Sequence, residues 1–125
     1  MMKVVFYINA AGKTGLRLQK MIRDLVPDRR KETYSAIDSL APRLRQHAYN
    51  IAAVVLLITS REDLSNILRI RHLFQNIKTI LILPDRENET ITKGHRLRPR
   101  FLSYADRNFV EVAVVLEKML ENVEF

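Results

Sequence analysis

The chain has 125 residues, 47% of them hydrophobic and 28% charged, the size and balance of one globular domain with a real core. It has no cysteine, which excludes disulfides and thiolate metal sites, and its longest apolar run, 51–58, is far short of a membrane span. The net charge is +7, from 21 basic and 14 acidic residues, which favours an acidic partner: nucleic acid, anionic lipid or an acidic protein face.

Residues 3–8 (KVVFYI) form a short β-branched and aromatic run, read as a strand. The run is too short for a signal peptide and no small-residue cleavage site follows, so a cytoplasmic address is expected. Residues 12–26 take helical spacing, with Leu18, Met21, Ile22 and Leu25 on one face and Pro27 and Asp28 ending the helix. Residues 31–35 (KETYS) suit only an edge strand. Ser39 then reads as an N-cap, with Pro42 in the first turn and Leu40 and Leu44 facing inward. Residues 51–59 (IAAVVLLIT) are apolar nearly throughout, as in a central parallel strand covered on both faces. Ser60 caps the next helix, where Glu62 and Asp63 favour the positive end of the dipole and Leu64, Ile67, Leu68 and the stem of Arg71 line the inner face. Residues 78–83 make a second buried strand, closed by Pro84 and Asp85. The stretch 86–98 is polar, either a loop or a short poor helix. Residues 101–104 (FLSY) are the last strand, followed by an amphipathic helix with Phe109, Val112, Ala113, Leu116, Met119, Leu120 and Val123 on its stripe.

Strands separated by helical segments argue for βαβ units and a parallel sheet, and right-handed crossovers place helices on both faces. The expected architecture is a single α/β domain over 1–125. It is a three-layer sandwich on a five-stranded parallel sheet of order 2-1-3-4-5, the flavodoxin-like layout.

In that layout the chain resembles the CheY-like receiver domain of two-component response regulators. The resemblance implies an acidic pair after strand one, a phosphoryl-accepting aspartate after strand three, a hydroxyl after strand four and a Lys-Pro pair after strand five. Here those places hold Asn9 and Ala10, Ile58 and Thr59, Leu83 and Pro84, and Tyr104 and Ala105. Mg²⁺ is held by carboxylates and phosphate oxygens, and an acyl phosphate needs a carboxylate nucleophile. Phosphorylation is therefore not expected, and no catalytic residue, metal or cofactor is assigned.

Residues 9–15 end in Gly12-Lys13-Thr14, but a phosphate-binding loop needs another glycine five residues earlier, where Tyr7 stands. Lys13 and Thr14 could still hold an anion weakly at the helix N-terminus; a plain strand-to-helix turn is the competing reading. Asp85, Glu87 and Glu89 lack the further ligands of a calcium loop and read as solvated. The three histidines, His47, His72 and His95, lack metal-ligand spacing.

Positive charge is densest where Lys93, Arg96, Arg98 and Arg100 fall within eight residues. If the segment is extended, Arg96, Arg98 and Arg100 lie on one side, suited to phosphates or carboxylates. A solvated rim, an acidic protein and nucleic acid all remain open as readings. On the last helix Val110, Val114 and Val115 add apolar surface off the main stripe, a surface for homodimerisation through the last strand and helix unless the 86–98 loop covers it. The resemblance implies the same surface. The expected function is a non-catalytic regulatory module working by protein contacts, with no membrane association. The alternatives are nucleic-acid association through the three arginines and anion binding at Lys13 and Thr14.

Overall fold

A computed structural model of the chain describes residues 2–9, 12–121 and 123. The apolar runs become five strands: β1 (Lys3–Ile8), β2 (Lys31–Tyr34), β3 (Ile51–Leu57), β4 (Thr79–Leu83) and β5 (Phe101–Tyr104). Five α-helices follow them in turn: α1 (Lys13–Arg23), α2 (Ile37–Arg45), α3 (Arg61–Arg69), α4 (Asn88–His95) and α5 (Val110–Leu120). The strands form one sheet of order β2-β1-β3-β4-β5, and every neighbouring pair is parallel. This is the expected α/β arrangement. None of the helices, among the described residues, is long and apolar enough to cross a membrane.

Period-two alternation sends successive side chains of the central strands to opposite faces, and both faces are buried. Val5, Tyr7, Val54, Leu56, Leu81 and Leu83 meet Leu40 and Leu44 of α2 and Leu64, Ile67 and Leu68 of α3. Val4, Phe6, Val55, Leu57, Ile80 and Ile82 meet Leu18 and Ile22 of α1 and Val112 and Leu116 of α5. Ile91 of α4 and Leu97 just after it join the first cluster, so α4 and α5 lie on opposite faces.

Local chemistry explains where the helices begin. Ser60 caps α3 as expected, its hydroxyl accepting the Asp63 amide at 3.0 Å. Ser39 is not a cap: Ala36 stands at that position, and the Ser39 hydroxyl donates to the Ala36 carbonyl at 2.9 Å. Pro42 therefore sits in the second turn, where it removes a helix hydrogen bond. Burial of Leu40 and Leu44 against the sheet outweighs that loss, since tertiary packing, not propensity, supplies most helix stability. Arg71 lies past the end of α3, in a 3-10 turn (Arg71–Phe74) that exposes it, rather than on the helix's inner face.

The polar stretch after β4 contains a true helix, α4. Its inner side carries the buried Thr90 and Gly94. A Cβ on Gly94 would stand 3.2 Å from methyl carbons of Leu81 and Leu83, so the absent side chain lets the helix backbone lie close on β4. α5 starts one residue later than the stripe suggests. Phe109 precedes it in the left-handed region (φ 66), a costly conformation for a bulky residue. Burying its ring offsets the strain, with the Arg17 guanidinium 5.1 Å from the ring centre. Val123 lies beyond the helix.

Because all strands run the same way, each β-to-α connection lies at the carboxyl edge of the sheet and each α-to-β connection at the amino edge.

Candidate functional site

At the carboxyl edge, Asn9 follows β1 and is exposed, and Ala10 lies outside the described residues. Ile58 is fully buried, its amide bonded to the Ile82 carbonyl at 2.9 Å, so its side chain belongs to the core. Thr59 is exposed beside it. Tyr104 ends β5 half-buried, with the Arg86 guanidinium stacked 4.0 Å from its ring centre. Arg86 is held there by Asp106 at 3.0 Å. The resemblance implies Mg²⁺ at this edge, and the residues do not fit it: Asn9 and Thr59 are neutral donors, and no carboxylate stands at either position.

A carboxylate does approach this edge from another element. Asp63 of α3 is 5% exposed, and its Oδ1 accepts the Tyr7 hydroxyl at 2.7 Å. Its Oδ2 is buried with no hydrogen-bond donor among the described residues. Burial, then the hydrogen bond and negative charge of Asp63, push the Tyr7 phenol far above its usual range. Beside the pair lies a shallow crevice of about 260 Å³ lined by Asn9, Ser35, Asp38 and Asn66. From sequence alone Asp63 is a first-turn acid favoured by the helix dipole. A tyrosine in a strand otherwise made mostly of hydrocarbon side chains is the available signal that a buried polar partner is needed.

The other acidic candidates face cations. Asp85 and Glu89 both approach Arg61, at 3.6 and 3.7 Å, and Glu89 also pairs with Lys93 at 3.3 Å. Lys13 opens α1, exposed, with Thr14 half-buried behind it. Arg17, one turn on, ties α1 to the loop after β5 by donating to the carbonyls of Ala105 at 3.0 Å and Arg107 at 3.3 Å.

The arginine-rich segment lies at the opposite, amino edge, so Lys13 and Thr14 are not brought together with Arg96, Arg98 and Arg100. Nor is the segment extended. Arg96 keeps helical geometry at the end of α4, and Arg98 takes left-handed backbone (φ 52). The segment is a turn because Leu97 is drawn into the core, reversing the chain before β5 begins. The three arginines nevertheless share one cleft of about 770 Å³ before β4 and β5, facing Arg71 and Lys78. None of these five cations forms an ion pair among the described residues.

On α5, Val110 and Val114 are each 49% exposed, whereas Val115 packs into the core and is not part of an outer strip. The 86–98 segment does not cover the two valines, because its apolar residues pack on the other face of the sheet. No protein-family model, curated protein or solved structure matches this chain.

Proposed function

We propose that the protein is a non-catalytic, receiver-like regulatory module of the signal-transduction type, acting in the cytoplasm through protein contacts. The observation that carries this reading is the chemistry of the carboxyl edge. Amide, hydroxyl and hydrocarbon (Asn9, Thr59, Ile58) stand where a phosphorylatable relative gathers carboxylates, and an arginine lies on Tyr104 where such a relative has lysine. None of these three side chains can serve as the carboxylate nucleophile of an aspartyl phosphate. The exposed valines of α5 supply a contact surface, and a second copy of the chain is its simplest occupant.

Incubation of the purified protein with acetyl phosphate and Mg²⁺, followed by intact-mass measurement, should give no phosphoryl adduct. A stoichiometric, acid-labile phosphate would overturn the proposal.

A further inference from the structure

We propose that the cleft at the amino edge of β4 and β5 binds a compact polyanion carrying two or more phosphoryl groups. Arg71 and Lys78 come from one wall, Arg96, Arg98 and Arg100 from the other. Like charges gathered into one concavity repel each other, and low-dielectric walls focus their field onto the space between them. Some arginines elsewhere are partnered: Arg43 with Glu32, Arg86 with Asp106, Arg107 with Glu111, and Arg61 with Asp85 and Glu89. Exposed cations such as Lys20 and Arg23 of α1 have no carboxylate partner among the described residues; what sets the cleft apart is that five such cations line one concavity. In the cleft no carboxylate answers them among the described residues. An anion from solution is the complement the arrangement lacks.

The shape favours a small ligand over a nucleic-acid strand. The five cations line a hollow of about 770 Å³, within the roughly 300–1,000 Å³ span of small-molecule pockets. A strand would need a groove that continues across the surface. Phe74, Ile77 and Leu97 form the floor, while the amides of Gln75 and Asn76 add neutral polar groups at the rim. Guanidiniums recognise phosphate oxygens in pairs, and several in one hollow suit a chain of phosphates better than a single one. Arg98 holds the left-handed conformation that few side chains other than Asn and Asp adopt readily, and such outliers cluster where a ligand is clamped. This inference is independent of the receiver-like reading, since the two sites occupy opposite edges of the sheet.

Titration calorimetry with tripolyphosphate and with ATP, at fixed ionic strength, tests it. Wild-type protein should bind at least one of the two saturably, at one site per chain. Arg98→Asn combined with Arg100→Gln keeps a side chain suited to the turn and removes two charges. It should weaken binding by about tenfold or more, the scale of a lost charge-assisted bond. Lys20→Gln with Arg23→Gln removes the same charge from the exposed side of α1 and should leave binding unchanged. If circular dichroism shows the first variant misfolded, Arg96→Gln, exposed at the end of α4, replaces it with the same expectation. Absence of saturable binding to both probes would overturn the inference, as would equal weakening by the α1 variant. So would tighter binding of a single-stranded oligonucleotide that both double variants weaken alike, because the surface would then be an extended nucleic-acid face.

Discussion

The hydroxyl of Tyr7 lies 2.7 Å from Oδ1 of Asp63, joining β1 to α3 across 56 residues of chain at the carboxyl edge of the sheet. The phenol is the only side chain serving that carboxylate among the hydrogen bonds of the described residues, and it enters from a strand whose other side chains are mostly hydrocarbon. Tyr7→Phe would leave Asp63 buried with neither oxygen served by a side-chain donor. A loss of about 1–3 kcal/mol is expected in urea unfolding, the cost of orphaning a buried acceptor. Tyr7→Phe combined with Asp63→Leu removes both polar groups and should recover most of that loss. Strictly additive losses in the double-mutant cycle would mean that the pair has no coupling.

The same tyrosine sets an alkaline limit on stability. Its folded-state pKa is raised, by burial first and then by Asp63, above the ordinary value of 10.0. The contribution is therefore complete below pH about 10 and is lost as the pH climbs toward the folded value, by up to ~1.4 kcal/mol per pH unit. Unfolding free energy measured from pH 8 to 11 should fall at the upper end, and the fall should be shallower in Tyr7→Phe.

Acid acts on the edge strand β2, which pairs with β1. Glu32 of β2 accepts Arg43 Nε at 2.6 Å and the Tyr34 hydroxyl at 2.7 Å. Burial alone would raise its pKa, but the Arg43 and Tyr34 hydrogen bonds and the Arg43 charge hold it below the ordinary 4.5. Burial and the Glu32 carboxylate push Tyr34 up to about 12, so it remains a donor. A depressed carboxylate contributes stability that is complete above pH about 4.5 and lost as pH falls through the folded value. Arg43→Gln should lower stability at pH 7 and flatten the decline between pH 5 and 3; an unchanged acid limb would exclude the pair as its source.

Strand order and both core layers were legible because buried strands and amphipathic stripes are long-range patterns, repeated in each βαβ unit. Ser60 was legible as a cap because hydroxyl, acidic first turn and apolar stripe agreed. Four features were hidden for separate physical reasons. The inner side of α4 carries only Ile91 as an apolar side chain beside the buried Thr90 and Gly94, so no amphipathic stripe marks it. Asp63 looked like any first-turn acid, since nothing local reveals a tyrosine 56 residues away. The cleft joins residues 71–78 to 96–100, and only the adjacency of β4 and β5 brings Arg71 and Lys78 opposite Arg96, Arg98 and Arg100. The left-handed turn at Arg98 was likewise invisible, arginine being an uncommon occupant of it.

Gly94 gives α4 a direct test. Within a helix a Gly→Ala change ordinarily stabilises by up to ~1 kcal/mol, but at Gly94, in the last turn of α4, the new methyl would press on Leu81 and Leu83 at 3.2 Å. Gly94→Val adds both that contact and further bulk, and should destabilise by about 1–3 kcal/mol, the usual cost of overpacking. Thermal unfolding of the two variants would separate the effects. Valine tolerated as well as alanine would mean that α4 can lift away from β4.

Val110 and Val114 sit one turn apart on α5, about half-exposed, on the face of the sheet that α4 does not reach. If they form the self-association surface proposed above, placing charge on both should dissociate the protein without unfolding it. Val110→Glu with Val114→Lys suits this purpose, because Glu four residues before Lys supports a helix and the net charge is unchanged. Desolvating such charges at an interface costs about 2–5 kcal/mol, enough to weaken a dimer by roughly 30-fold or more. Light scattering across a concentration series should show dimer for the wild type and monomer for the variant, with matching circular dichroism. Monomer for both would remove self-association and leave α5 to a different protein. A dimer unaffected by the substitutions would move the interface to another part of the surface.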